Sequence, residues 1–435
     1  MSGELIGLIG LAVVLLLLVL RTPIGISLIA VSFTGIYILL GPRPALGMLA
    51  TLPYDFAAKW TLSSVPMFLL MGFVCYHAGL TRGLFEAARS LLAWLPGGLA
   101  VASVWGAAGF AAVTGSSIAC AAAMGRIAVP EMLRAKYSPA LATGTVAAAG
   151  TLGALIPPSI LMILFGIFAE VPISKLFLGG VGAGLITALL YMSVIIIVAT
   201  VRPDFAPRSD TTDSFSERIR LLRQTWPVVL LLLIVIGGMF FGLFTATEAG
   251  AVGALAAILI AMGRRSLGWK GFWEALKETI VATASLFLIA VGATLLTRFL
   301  TLSGAGDFIA DGIIAMNASP LALLLGLCLI YLLMGMFLDP LGAMLLTLPV
   351  VLPILDGSGI DLIWFGVFLV KFLEIGMITP PIGLNVFVLK GVIGPSVSLT
   401  TIFRGIFLFL LADAIAVAIF IAFPATITWL PQLME

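Results

Sequence analysis

The sequence predicts an all-α polytopic membrane protein made of two related halves in opposite orientation. Of its 435 residues, 62% are hydrophobic and 10% are charged, whereas soluble globular chains have about 25% charged residues. Apolar segments near the length that spans a bilayer recur along the whole chain. Two of them contain the same break, since "GTLGALIPPS" at 150–159 and "LEIGMITPPI" at 373–382 each place a glycine before two adjacent prolines.

The apolar segments account for most of the chain and leave no room for a soluble domain. We predict membrane segments at 5–20, 24–40, 63–80, 137–156, 173–200, 226–244, 249–263, 279–297, 320–337, 361–375 and 399–430. Glu4 precedes the first segment and Arg21 follows it, which is the reverse of a secretory signal peptide. The first segment is therefore predicted to remain as a membrane helix.

An internal duplication is indicated when the chain is aligned with itself. A shift of 223 residues aligns Pro130 with Pro353, Gly153 with Gly376, and Pro157-Pro158 with Pro380-Pro381. Each half then holds three helices, a hairpin region (97–130 and 320–354), a proline-broken helix and a long final helix. Because a hairpin enters and leaves on one face, each half crosses the membrane an odd number of times, and the second half is inverted.

The distribution of basic residues supports this threading, because cytoplasmic loops collect Lys and Arg. If the polar connection at 201–225 is cytoplasmic, most of the 22 Lys and Arg residues fall on that side. Only Arg43, Lys59, Lys175 and Arg298 fall on the other side, and Lys371 lies within the membrane. Both termini are predicted to be periplasmic.

The proline breaks are candidate cation sites. Hydrocarbon cannot satisfy bare backbone groups, so such breaks must lie inside the protein or beside a polar cavity. Pro157 and Pro158 have no amide hydrogen, which frees carbonyls around Gly153, Ala154 and Leu155 as oxygen ligands suited to Na⁺. The alternative is a pair of ordinary proline kinks, but two breaks in register in opposed halves favour a binding site at the repeat interface.

The second break adds side-chain ligands. Gly376–Pro381 repeats the first pattern, with a hydroxyl on Thr379 and an amide on Asn385. The first break has Ile156 and Met162 at these places. We therefore expect the two sites to be similar in backbone geometry and unequal in side-chain chemistry.

The hairpin tips are the second set of candidates. A tight turn at Thr114, Gly115, Ser116 and Ser117 would bring amides and hydroxyls together, although small residues also serve close helix packing. The equivalent place in the second half is Leu338-Asp339-Pro340. An acid at this depth costs about 2.5 to 3.5 kcal/mol. Asp339 could cap the following helix, bind a cation, or do both.

Other chemistry is excluded or left open. His77 is the only histidine, which argues against a histidine metal cluster or a Ser/His/Asp triad, and no basic cluster suggests nucleic acid. Lys371 and Glu374 are three residues apart and are predicted to pair, whereas Asp413 has no assigned role. The stretch 264–278 is predicted to be an interfacial helix, with a solvated linker as the alternative.

Two segments carry a family resemblance. They are "AVTGSSIACAAAMGRIAVPEMLRAKYSPALATGTVAAAGTLGALIPPSILMILFGIFAE" and "GMFLDPLGAMLLTLPVVLPI" followed by "LEIGMITPPIGLNVFVLKG". They resemble the large membrane subunit of tripartite ATP-independent periplasmic (TRAP) transporters, the DctM-like family. The resemblance covers essentially the whole chain and implies an inverted-repeat elevator-type transporter fold with two re-entrant helical hairpins and two proline-broken helices.

The same resemblance implies a Na⁺-driven secondary transporter rather than an enzyme, with no cofactor besides Na⁺ as the coupling ion. Its implied partners are a separate small four-helix membrane subunit, a periplasmic substrate-binding protein, an organic acid substrate with a carboxylate or sulfonate group, and the lipid bilayer of a bacterial or archaeal cytoplasmic membrane. Some relatives fuse the small subunit to the N-terminus. Because this chain starts at the first scaffold helix, we expect a separate subunit here.

The resemblance implies three sites and the residues of this chain that would form each of them. The first Na⁺ site would use Thr114, Gly115, Ser116, Ser117, Gly153, Ala154 and Pro157. The second would use Leu338, Asp339, Gly376, Thr379 and Pro380. The substrate would lie between the tips, at Ser116, Ser117, Pro158, Ser159, Pro340, Pro381 and Asn385.

The implied organisation divides the chain into five parts. They are 1–96, scaffold helices and arm of the first repeat; 97–200, its hairpin, broken helix and final helix; 201–225, a cytoplasmic connection; 226–319, scaffold helices and arm of the second repeat; and 320–435, its transport elements.

Two alternatives remain at this point. A self-sufficient Na⁺/organic anion symporter of related fold would need no binding protein. A channel or an intramembrane enzyme would not explain the inverted repeat.

Overall fold

A computed structural model describes residues 2–207, 214–315 and 319–434, and these ranges contain helices and no strand. Residues 208–213 of the predicted connection lie outside them. Seven of the described helices are long and apolar enough to cross a membrane, or eight if the bent pair Phe215–Gln224 and Trp226–Phe240 is one span. The prediction of an all-α polytopic membrane protein is confirmed.

The described residues of the first half form eleven α-helices. They are α1 (Gly3–Val19), α2 (Ile24–Leu40), α3 (Pro42–Ala57), α4 (Ser64–His77), α5 (Arg82–Leu92), α6 (Gly98–Thr114), α7 (Ser117–Arg134), α8 (Pro139–Gly150), α9 (Leu152–Leu155), α10 (Ile160–Phe168) and α11 (Ile173–Val201).

The second half repeats this order. It contains α12 (Phe215–Gln224), α13 (Trp226–Leu232), α14 (Gly238–Phe240), α15 (Ala246–Gly263), α16 (Trp269–Ser303), α17 (Ala305–Ala315), α18 (Pro320–Phe337), α19 (Pro340–Asp356), α20 (Leu362–Gly376), α21 (Leu384–Ile393), α22 (Leu399–Ala422) and α23 (Ala425–Gln432). A π-helical segment, Leu233–Gly237, joins α13 to α14.

The two predicted hairpins are present, and their turns are built differently. In the first, Gly115 ends α6 in the left-handed conformation (φ 61°), and the Ser116 side chain accepts a hydrogen bond from the Ala119 amide to start α7. In the second, Leu338 and Asp339 are extended and Pro340 begins α19. A left-handed glycine at a helix end and a proline at the first helical position are both common stop and start devices.

Both proline-broken helices are also present. The first consists of α8, α9 and α10, with the chain leaving the helix at Ile156 and re-entering it at Ile160. The second consists of α20 and α21, separated by 377–383. The Pro157-Pro158 and Pro380-Pro381 peptide bonds are both cis.

The interfacial helix predicted at 264–278 is not a separate element. Helix α16 runs without interruption from Trp269 to Ser303, and its 35 residues extend over roughly 52 Å. This exceeds the hydrocarbon thickness of about 30 Å, so one end of α16 projects beyond it. The aromatic and charged residues at the start of α16 belong to a membrane helix, because no helix-breaking residue separates the two parts.

The helices predicted to form the scaffold pack across the two halves. A Cβ added to Gly292 of α16 would lie 3.0 Å from the Gly25 carbonyl of α2, and one added to Gly250 of α15 would lie 3.2 Å from the Ser64 carbonyl of α4. Small residues allow such close backbone approach in membrane helices. Each contact joins one helix from each half, so neither half forms this framework alone.

Helices α8 and α22 also approach each other closely. A Cβ added to Gly405 would lie 1.8 Å from the Ala140 carbonyl oxygen, and one added to Gly144 would lie 2.4 Å from the Gly405 carbonyl carbon. Backbone atoms cannot move aside as a flexible side chain can. Gly405 therefore holds the final helix of the second half against the broken helix of the first.

We predict that Gly405→Ala lowers the stability of the purified protein by about 1–3 kcal/mol, the usual effect of overpacking a close contact. The matched control is Gly391→Ala in α21, where an added Cβ would meet nothing within 4 Å. Thermal unfolding in detergent measures both. An unchanged midpoint for Gly405→Ala would contradict the rigid contact.

Candidate functional site

The first hairpin tip lies directly against the first break. A Cβ on Gly115 would lie 2.3 Å from the Pro158 carbonyl oxygen, and one on Gly153 would lie 2.6 Å from the Ser116 carbonyl oxygen and the Ser117 Cα. The structure thus brings together the residues expected to form the first Na⁺ site, and their role as ligands stays a prediction.

Two carbonyls at this break lack their helical donors. In a continuous helix the Gly153 and Ala154 carbonyls would accept from the amides of residues 157 and 158, which are prolines without an amide hydrogen. The Leu155 carbonyl packs against α11, 2.7 Å from where a Cβ on Gly180 would lie. Gly153 and Ala154 are therefore the better candidates for carbonyl ligands.

The second tip and break meet in a different register. The nearest atoms to a Cβ on Gly376 belong to Gly335 of α18, at 2.6 Å, one helical turn before Asp339. In the first half the equivalent glycine meets the tip residues themselves. The two sites are thus not superimposable copies, and the second hairpin is seated about one turn differently on its break.

The second break, unlike the first, has new backbone hydrogen bonds in place of the helical ones. The Thr379 amide donates to the Gly376 carbonyl (3.2 Å), and the Asn385 amide donates to the Met377 carbonyl (3.1 Å). The Thr379 hydroxyl donates to the Ile375 carbonyl (2.7 Å), so its lone pairs remain free to coordinate a cation. Side chains must supply more of any ligand set here than at the first break.

Asp339 caps α19, as one of its two predicted roles requires. Its Oδ1 accepts a hydrogen bond from the Gly342 amide at 3.0 Å. The carboxylate is partly buried, and a Cβ on Gly342 would lie 2.2 Å from Ile24 of α2. The tip of the second hairpin therefore contacts the start of α2, which is predicted to belong to the scaffold.

Both tips border one cavity of about 510 Å³. Thr114 and Ser116 of the first tip and Asp339 of the second line it on one side. Helices α4 and α16 line the other side, where Tyr76, Ser285 and Glu278 add polar groups. The described residues lining it include no Lys or Arg, in agreement with the lack of an arginine at the tips and breaks in the sequence.

The residues expected to bind substrate do not all line this cavity. Ser116 lines it, whereas Ser117, Pro158, Ser159, Pro340 and Asn385 are buried and Pro381 is exposed elsewhere. The Ser159 side chain caps α10 by accepting from the Met162 amide (3.3 Å), and its expected contact with substrate stays a prediction.

Sequence reasoning did not identify the scaffold residues of the cavity. Glu278 lies 3.3 Å from His77, a contact that joins α16 to α4 at the edge of the cavity. The only available signal was a charged residue at the edge of a long apolar run. The pairing itself depends on packing between helices about 200 residues apart.

The predicted Lys371–Glu374 pair is wrong. The Lys371 ammonium instead donates to Asp413 Oδ1 at 2.5 Å, and both side chains are 1% exposed. The Tyr191 hydroxyl donates to the same oxygen (2.6 Å), and Thr151 lies 3.2 Å from that hydroxyl. Asp413 is on α22, so the sequence spacing that favours Glu374 gives no indication of it.

We predict that Lys371→Met destabilises the protein by about 3–5 kcal/mol, because it leaves the Asp413 carboxylate buried and unpaired. The double variant Lys371→Met with Asp413→Asn removes both charges, keeps an acceptor for Tyr191, and should recover most of the loss.

Thermal unfolding in detergent measures the effect. The control is Arg220→Met, which breaks an exposed pair with Glu217 and should cost about 1 kcal/mol or less. Equal stability of Lys371→Met and the unaltered protein would show that the buried pair contributes nothing.

The inverted repeat, the paired hairpins and breaks, and the cavity between tips and scaffold define a membrane transport protein. The structure resembles that of the YdaH transporter of Alcanivorax borkumensis, with a TM-score of 0.61 over 90% of this chain and 91% of the other, at 16% sequence identity. Its title describes that structure as having an unusual topology. At this identity the likeness shows the fold alone.

Sequence comparisons identify the family. The family model described as "Tripartite ATP-independent periplasmic transporter, DctM component" matches residues 11–426. The chain belongs to this family of transporter permease components and is not an enzyme. The resemblance inferred from the proline-proline segments is confirmed.

Three relatives illustrate the family. The C4-dicarboxylate TRAP transporter large permease protein DctM of Pseudomonas aeruginosa is 37% identical over 82% of this chain and 83% of its own. The sialic acid TRAP transporter large permease protein SiaM of Vibrio cholerae is 31% identical over 100% and 99%. The isethionate TRAP transporter permease protein DctMQ of Oleidesulfovibrio alaskensis is 31% identical over 87% of this chain and 59% of its own.

Proposed function

We propose that this chain is the large membrane subunit of a Na⁺-coupled secondary transporter that imports an organic acid. The observation that carries the proposal is the cavity bordered by both hairpin tips, each of which lies near a break that can supply oxygen ligands. The three relatives are named for a dicarboxylate, a sialic acid and a sulfonate. All three are organic acids, which supports this substrate class.

The proposed partners are a separate small membrane subunit and a periplasmic binding protein that delivers the substrate. Family membership supports both, since the family is defined as one component of a tripartite transporter. The lack of Lys and Arg among the described residues around the cavity also fits this division. Without a fixed cation to select an anion, neutral donors and bound Na⁺ would hold the substrate, and the binding protein would supply most of the selectivity.

The proposed mechanism is elevator-type alternating access. The hairpins and breaks would move as a unit along the framework of α2, α4, α15 and α16, and would carry the substrate between the two faces. The cavity supports this division because its two walls belong to the two groups of elements. An inverted repeat supports it too, since exchange between two related arrangements is the usual mechanism of such folds.

The proposed location is the cytoplasmic membrane, with both termini periplasmic. The bias of Lys and Arg toward the side of the 201–225 connection supports this orientation. Tyr76 and Glu278 of the cavity adjoin segments on that side. The cavity would then face the cytoplasm, which corresponds to the state that releases substrate.

Uptake into proteoliposomes tests the proposal. With both membrane subunits in the bilayer, the cognate binding protein outside and an inward Na⁺ gradient, we expect accumulation of an organic acid that stops when K⁺ replaces Na⁺. Uptake that is indifferent to Na⁺ would contradict the coupling. Uptake by this chain alone, without binding protein, would instead support a self-sufficient symporter.

We predict that Asp339→Asn reduces Na⁺-dependent uptake at least about tenfold while leaving thermal stability within about 0.5 kcal/mol. Asn remains a good N-cap, so the bond from the Gly342 amide is kept and only the charge is lost. Asp339→Ala removes both and should also destabilise by about 1 kcal/mol.

The matched control for this prediction is Asp361→Asn. Asp361 caps α20 through the Ile363 and Trp364 amides and is exposed. It therefore undergoes the same chemical change at a cap far from the cavity, and its uptake should not change. Unaltered uptake by Asp339→Asn would leave Asp339 as a helix cap alone.

A further inference from the structure

Glu374 is a buried carboxylate without the partner that its sequence suggests. It is 1% exposed, and Lys371, one turn earlier on α20, bonds to Asp413 instead. Its Oε2 has no hydrogen-bond partner in the described part of the chain. Such a group is costly unless something neutralises it, so its surroundings need an explanation.

The Glu374 side chain faces the first hairpin. It lies beside the Ser117 hydroxyl, in the first turn of α7, and near Cys120 one turn further on. The Ser117 hydroxyl is itself buried without a hydrogen-bond partner of standard geometry. Because Ser117 packs on Gly153, the carboxylate, the hydroxyl and the first break all meet at one place.

The geometry of α20 makes this a contact between the two halves. Gly376 faces α18 of the second hairpin, where it meets Gly335. Residues two apart on an α-helix point about 200° apart, so Glu374 is directed away from the second hairpin. Helix α20 thus belongs to the second half and presents its acid to the first tip.

A third unpartnered group lies on a neighbouring helix. Asn385 of α21 is fully buried, and neither its amide oxygen nor its nitrogen has a hydrogen-bond partner in the described residues. Leu389, one turn later, would contact a Cβ on Gly125 of α7, so Asn385 is on the face of α21 that is turned toward α7. Most buried polar groups have a hydrogen-bond partner, so one without a partner needs an explanation such as a bound water or ion.

The oxygen groups that meet around Glu374 suit a cation. A carboxyl buried in this way is neutralised by a proton or by a bound cation. A carboxylate, a hydroxyl and carbonyl oxygens are the ligands that hard cations prefer, and a cation bound here would replace the proton.

We propose that Glu374 is an acidic ligand of the cation bound between the first hairpin tip and the first break. The inference rests on the proposed Na⁺ coupling and adds to it. The second half of the chain supplies the charge for the site whose hydroxyl and carbonyl ligands come from the first half. Occupation of this site then fastens the first tip to α20, whose opposite face holds the second hairpin.

The test is Na⁺ binding, measured without transport. The complex of both membrane subunits in detergent is heated at increasing Na⁺ concentration, with K⁺ replacing Na⁺ to hold ionic strength constant. The unaltered protein should show a saturable rise in its unfolding midpoint. Glu374→Gln keeps the size of the side chain and removes the charge, so the Na⁺ concentration for half the effect should rise at least about tenfold.

The matched control is Glu131→Gln. Glu131 is on α7, the helix that begins at Ser117, and lies near its other end, where it pairs with Arg89 at 3.5 Å. It should retain the Na⁺ response of the unaltered protein. If Glu374→Gln and Glu131→Gln both do so, the role of Glu374 is overturned while the proposed function stands. If the unaltered protein shows no Na⁺ response, the proposed coupling fails and the inference fails with it.

Two milder variants cover the case in which Glu374→Gln does not fold. Glu374→Asp keeps the charge and withdraws it by one methylene, and Ser117→Ala removes the adjacent hydroxyl. Each should weaken the Na⁺ response, and the two together should weaken it by less than the product of their separate effects, because they act on one ion. An unchanged Na⁺ response in both single variants would overturn the proposal.

Discussion

The absence of an amide hydrogen on four prolines is the constraint on which the rest of this structure depends. In a bilayer, backbone groups left without helical partners cannot be satisfied by lipid, so they must be enclosed by protein or face a polar cavity. The chain meets this requirement by placing a helical hairpin against each break. The hairpins in turn need small residues at their contacts, which explains Gly115 and Gly153 in one half and Gly335 and Gly376 in the other.

The two breaks meet this constraint in different ways. At the first, residues 157 and 158 cannot donate to the Gly153 and Ala154 carbonyls, and the tip residues pack directly on the break. At the second, the Thr379 amide donates a hydrogen bond to the Gly376 carbonyl, and the Asn385 amide donates one to the Met377 carbonyl. Duplication therefore gave two similar backbones, and later divergence left one that offers carbonyls and one that must rely on side chains.

Helix α20 connects these two sites. One face packs on the second hairpin through Gly376, and another directs Glu374 to the first tip. The buried bond from Lys371 to Asp413 fixes α20 against α22 and gives the lysine a partner other than Glu374. Buried ion pairs give little net stability against apolar substitutes, so the arrangement is better understood as positioning an acid than as strengthening the fold.

Much of the architecture follows from the sequence alone. Apolar length, the repeated Gly-to-Pro-Pro pattern and the bias of Lys and Arg predict the spans, the hairpins, the broken helices and the family, because each depends on residues close together in the chain. Gly115 with Ser116 and the cap at Asp339 were predictable for the same reason. The continuity of α16 through the predicted interfacial segment was missed, although no helix-breaking residue separates the two parts.

Only the tertiary structure decided which buried charges meet. The sequence spacing favours a pair between Lys371 and Glu374. In the low dielectric of the interior, however, the lysine pairs with the carboxylate that helix packing places nearest to it, which is Asp413 of α22. The one-turn difference between the two hairpins, the scaffold residues that line the cavity, and the approach of Glu374 to Ser117 are likewise contacts between distant helices. A sequence pattern specifies which face of a helix is buried, and the packing of the other helices determines what that face meets.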